Sequence, residues 1–116
     1  MDERILKWLY DIKLAIDEIY GYFETIEKSF VSYSGNLMLK RAVERDLEII
    51  GEAVNRILKR DELFIEQISN AKAIISLRNY VIHAYDSVSD ENIWSIITNH
   101  LPKLRIEIEE LIAKYK

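Results

Sequence analysis

The chain has 116 residues, no cysteine and a formal net charge of −4. That length can bury a core without staples, and the missing cysteines exclude a disulfide framework and a thiolate metal site, as suits a reducing cytoplasm. The acidic balance excludes a chain that is polycationic throughout, so any RNA contact requires a local basic patch.

Met1-Asp2-Glu3-Arg4 leads straight into mixed charged and apolar sequence, without a signal-peptide pattern. No uninterrupted apolar run approaches membrane-spanning length, so no membrane association is expected. With three glycines and one proline, the chain should form long helices with few turns. From Asp2 to about Tyr20, Ile5, Leu9, Ile12, Ile16 and Ile19 make one helical stripe. Gly21 is a place for that helix to end or bend, since glycine costs ~1 kcal/mol in a helix interior, while Tyr22 to Lys28 can still continue it as helix. Ser32-Tyr33-Ser34-Gly35-Asn36 reads as the first loop.

A second helix is predicted from Asn36 to Arg60, burying Leu39, Val43, Leu47, Ile50, Val54 and Ile57. Its charged residues lie off this stripe, with Arg45–Glu48 and Glu52–Arg56 spaced as favourable surface pairs. Residues 61–69 connect, with room for one helical turn. Asn70 is a candidate N-cap for a helix that carries Ile74, Leu77 and Val81 inward. Ser89 is the next candidate N-cap, with Asp90 and Glu91 favourable in the first turn. The last helix repeats the stripe at Ile93, Ile97, Leu101, Leu104, Ile108, Leu111 and Tyr115, with a kink expected at Pro102. No segment alternates with period two over a useful length. Residues 1–116 therefore read as a single all-α domain, an antiparallel four- to five-helix bundle.

One stretch carries chemistry beyond this scaffold: Arg78-Asn79-Tyr80-Val81-Ile82-His83-Ala84-Tyr85. Histidine can take a proton from a ribose 2′-OH or give one to a leaving oxygen near neutral pH. Arginine can grip two phosphate oxygens and stabilise transition-state charge. Asparagine can orient either, and tyrosine can stack on a base. No carboxylate cluster accompanies them, so neither a metal nor another cofactor is called for. On a continuous helix Arg78 and His83 would point about 140° apart, while Asn79 and His83 would share a face. Either the helix ends before His83 and lets it swing back toward Arg78, or a second chain completes the site. His100 lacks such company and reads as structural. Glu52 reads as a surface charge, Gly51 as a place of close helix packing, and Trp8 and Trp94 as core or interface residues.

The octet matches the Arg-x4-His-x-Tyr signature of the HEPN superfamily, and specifically resembles its HepT-like toxins. Ala42-Val43, Ile49-Ile50-Gly51-Glu52-Ala53, Ile93-Trp94 and Leu101-Pro102-Lys103-Leu104 extend the resemblance over roughly the whole chain. It implies an all-α homodimer whose two motif copies face each other across a cleft, acting as a metal-independent endoribonuclease. It further implies that Arg78 binds the scissile phosphate, that Asn79 orients the site and that His83 is the general acid/base. Tyr85 would be the residue onto which a partner nucleotidyltransferase antitoxin transfers AMP, silencing the toxin. Ala84 stands where relatives often have glycine, and Tyr80 where they often have a basic residue. The alternative is a non-catalytic subunit that binds a nucleotide or the nucleotidyltransferase, a reading the negative net charge favours.

Overall fold

Two long amphipathic helices, α1 (Glu3–Thr25) and α3 (Leu37–Arg60), set the frame of the computed structural model. At about 1.5 Å per residue each is roughly 35 Å long, which accounts for most of the 42 Å long axis. The structure describes residues 2–83 and 89–116, with the backbone alone for residues 78–83. Asp2 caps α1 by accepting from the Arg4 N–H at 2.8 Å and also pairs with Arg60 at the end of α3. The start of one helix thus lies beside the end of the other, and the two run antiparallel.

The predicted stripes are the observed core. Ile5, Leu9, Ile12, Ile16 and Ile19 of α1 are all buried, as are the six predicted positions of α3. Off the stripe, Arg45–Glu48 at 3.3 Å and Arg56–Glu52 at 3.1 Å form the expected pairs. Both are largely exposed, so each contributes only a few tenths of a kcal/mol, roughly 0.2–0.5.

Packing settles one boundary that the sequence left open and moves another. The first helix does not stop at Gly21 but runs to Thr25. The Tyr22 hydroxyl reaches Asp46 of α3 at 2.7 Å, and Phe23 meets Trp94 edge-on at 5.7 Å. These tertiary contacts outweigh the ~1 kcal/mol propensity cost of one glycine. The expected loop at 32–36 is partly helical: α2 (Phe30–Ser34) is a single turn capped by Ser29, whose Oγ accepts from the Ser32 N–H at 3.1 Å. It forms because Tyr33 is fully buried with its ring 5.8 Å from that of Trp94.

Asn36 caps α3, accepting from the Leu39 N–H at 3.0 Å. After Arg60, Asp61 opens a short 3-10 turn, Glu62–Glu66, that buries Phe64 against Tyr115 at 5.8 Å. The chain then reverses into α4 (Ala71–His83), packed along α3. The final run is α5 (Asp90–Ser95), one π turn (Ile96–His100) and α6 (Leu101–Tyr115), which packs on α1. The break expected at Pro102 is taken up by the π turn before it. Proline has no N–H to offer and crowds the carbonyl four residues back. A widened turn absorbs this, with the Leu101 N–H donating to the Ile96 carbonyl. The Thr98 hydroxyl donates back to the Trp94 carbonyl at 3.0 Å. Among the described residues there is no strand, and no helix is long and apolar enough to cross a membrane.

Candidate active site

Helix α4 carries the motif, and its start is set by the residues on either side of Asn70. Ile68 and Ala71 are buried and anchor its start in the core. Asn70 opens the helix as expected, its carbonyl accepting from the Ile74 N–H at 2.9 Å. It does so with φ of 60°, in the left-handed region that asparagine tolerates better than most residues, whereas an ordinary N-cap is extended. Just before it, Glu107 of α6 accepts from the Ser69 N–H at 3.2 Å with both carboxylate oxygens and from the Ser69 hydroxyl at 2.5 Å.

Beyond the octet, Ser89 caps α5, accepting from the Asn92 N–H at 3.0 Å. Asp90 then pairs with Lys40 of α3 at 3.3 Å, both partly buried. The motif segment therefore lies between two polar ties, one to α6 and one to α3. Neither tie was read from the sequence, since each partner sits 38 or 50 residues away. The available signal was weak. Glu107 lies three residues after Leu104 and four before Leu111, a polar residue on the edge of an apolar stripe.

The α4 backbone is helical through His83. The helix does not end before the histidine, so Arg78 and His83 share one continuous element, their backbone directions about 140° apart. Asn79 and His83 lie one turn apart on one face by register. Tyr85, the expected modification site, and Ala84 lie outside the described residues, as do the side chains of Arg78, Asn79 and His83.

Of the predicted inward stripe, Ile74 and Leu77 are half-buried, while the Val81 side chain lies outside the described residues. Ile74 and Leu77 do not close the space between α4 and the last helical run. A cleft of about 220 Å³ remains there, lined mainly by Leu47, Ile50, Ile74, Leu77, Leu101 and Leu104. Its rim carries Ser69, Asn70, His100, Lys103 and Glu107. His100 is exposed on the π turn.

A second polar feature lies on the other flank of α3, against α1. Asp46 is the one buried charged-type side chain among the described residues, 2% exposed. Tyr22 donates to it at 2.7 Å and is 3.4 Å from Glu18. Burial pushes the Asp46 carboxyl up to about 6, helped by the neighbouring Glu18 charge and opposed by the Tyr22 hydrogen bond and Arg45. Burial and the same carboxylate raise the Tyr22 phenol, which keeps its proton and remains a donor. Asp46 follows Val43 by three and precedes Ile50 by four, the same edge-of-stripe signal as Glu107.

The family described as Ribonuclease HepT-like matches residues 12–111, a span that includes α4 and the whole octet. The chain is 34% identical over 112 residues to a Methanocaldococcus jannaschii protein named "Putative RNase MJ1380", covering 94% of this chain and 98% of that one. It is 37% identical over 110 residues to "Putative RNase TTE0752" of Caldanaerobacter subterraneus subsp. tengcongensis, covering 93% and 90%. A second M. jannaschii protein, "Putative RNase MJ0127", is 35% identical over 107 residues, covering 90% and 84%. No solved structure gives a significant match. With an all-α fold and a family match that spans the motif helix, the chain belongs to the HepT-like ribonuclease family.

Proposed function

We propose that the protein is a metal-independent endoribonuclease toxin, working in the cytoplasm as a homodimer whose two α4 helices face each other. The observation that carries this reading is the unbroken course of α4 through His83, within a family match covering the whole motif. One chain offers one imidazole in the octet, while cleavage of RNA by its own 2′-OH needs a base and an acid. Two facing motifs supply both. One His83 removes the proton from the 2′-OH, and the 2′-oxygen attacks phosphorus. The other gives a proton to the departing 5′-oxygen, leaving a 2′,3′-cyclic phosphate and a 5′-OH end. Arg78 holds the phosphate and stabilises the charge of the pentacoordinate transition state. Asn79, one turn from His83, orients it.

Silencing follows the same electrostatics. A nucleotidyltransferase antitoxin would let the Tyr85 phenol oxygen attack the α-phosphorus of ATP, releasing pyrophosphate and a proton. The resulting phosphodiester places negative charge and bulk where the RNA backbone must enter.

The test is RNA cleavage in EDTA by wild type and His83→Ala, with intact mass measured on the same samples. The expected result is cleavage by the unmodified protein and a loss of roughly 10²–10⁴-fold in the variant. Cleavage that survives His83→Ala undiminished refutes the assignment. No cleavage by a protein of unmodified mass refutes the ribonuclease and leaves a subunit that binds the nucleotidyltransferase, the reading the net charge of −4 favours.

A further inference from the structure

The start of α4 is held in an unusual way. Along its length the helix packs on α3, but toward α6 it faces the 220 Å³ cleft. Close packing is what normally fixes a helix in rotation and along its axis, and a cleft of this size removes those contacts on one side. What spans the gap is polar. The Glu107 carboxylate takes the Ser69 N–H and hydroxyl together, at 3.2 and 2.5 Å, in a partly buried setting. The next residue is Asn70 in the left-handed conformation, and its carbonyl receives the first helical hydrogen bond of α4. A charge-assisted bond made by both carboxylate oxygens in a partly buried setting is stiff and directional. Carboxylate, turn and first helical bond form a chain of three links from α6 to the helix carrying Arg78 and His83.

We propose that Glu107 is a positioning residue for the reaction: by clasping Ser69 across the cleft it fixes the register and tilt of α4, and so where Arg78 and His83 stand relative to the substrate. It touches no reacting atom. Its catalytic consequence rests on the ribonuclease reading above, while its mechanical consequence does not, and the experiment separates the two. A misplacement of about 1 Å far from the chemistry can cost on the order of 10²-fold in rate.

The experiment compares wild type, Glu107→Ala, Glu107→Gln and Ser69→Ala, with exposed Glu110→Ala on the same helix as control. Amide hydrogen exchange is followed residue by residue alongside kcat and KM for RNA cleavage. In Glu107→Ala the amides of α4 should exchange at least about tenfold faster, while those of α1 stay within about twofold of wild type. kcat should fall by about 10- to 100-fold with KM little changed. Glu107→Gln keeps an oxygen to accept from Ser69 and should recover most of both. Ser69→Ala in the Glu107→Ala background should add nothing further. Exchange that rises equally across α1, α3 and α6 overturns the proposal, because Glu107 is then only a stabiliser. So does a fall in kcat with α4 protection unchanged, because Glu107 then acts on the substrate. If wild type cleaves no RNA, the ribonuclease reading fails, and the exchange data alone decide whether the clasp holds α4.

Discussion

Replacing Asp46 with asparagine should make the protein more stable at pH 8 while leaving it nearly unchanged at pH 4. The carboxyl is 2% exposed, receives the Tyr22 hydroxyl at 2.7 Å and sits beside Glu18. Its folded-state value is about 6 against 3.8 for the free group. Because the folded value is the higher, the folded protein keeps a proton that the unfolded chain has lost between about pH 4 and 6. This contribution to stability is complete below pH ~4, declines through pH ~6 and is absent above it. A gap of about 2 pH units corresponds to about 3 kcal/mol at 1.36 kcal/mol per unit. Asparagine keeps an oxygen for Tyr22, gains an N–H for Glu18 and never ionises. The assay is urea unfolding of both proteins at pH 4.5, 6 and 8, at one protein concentration so that self-association does not enter the comparison. The stability difference should grow by about 2 kcal/mol in favour of the variant from pH 4.5 to pH 8, since about 1 kcal/mol of the full effect is already present at the lowest pH. A difference that stays flat with pH would mean that Asp46 titrates as in the unfolded chain. A variant that loses ground as pH rises would mean that an ionised Asp46 is a favourable partner, and the assignment of its proton would be wrong.

Two further substitutions test the packing. Gly21 lies exposed within α1 with no left-handed backbone, and an added Cβ meets nothing within 4 Å. Gly21→Ala should therefore stabilise by about 0.5–1 kcal/mol, and a Tm that stays put or drops would contradict this account of α1. Ile16 is fully buried at 0% exposure, so Ile16→Ala should cost roughly 2–5 kcal/mol in denaturant unfolding. A loss below about 1 kcal/mol would show that the α1 stripe is not the centre of the core.

Periodicity made the helices legible. The stripes at Ile5 to Ile19, Leu39 to Ile57 and Ile93 to Leu111 needed only the 3.6-residue repeat to be placed inward. The cap at Ser89 was also readable, because the acceptor and the N–H it satisfies are three residues apart. The motif was legible for the same reason: Arg78, Asn79, His83 and Tyr85 lie within eight residues of one another. Such features depend on neighbours in the chain, so the chain alone decides them.

What the tertiary structure decided depends on which helix faces which. Gly21 continues a helix because Phe23 finds Trp94 of α5 and Tyr22 finds Asp46 of α3. The 32–36 stretch is half helix because Tyr33 has a buried site to enter. Asp46 shares a cluster with Glu18, and Glu107 clasps Ser69, across separations no local pattern encodes. A carboxylate on the edge of an apolar stripe looks the same in sequence whether it ends in solvent or under another helix. Only the packing that closes over it sets its charge, its partner and its consequence for α4.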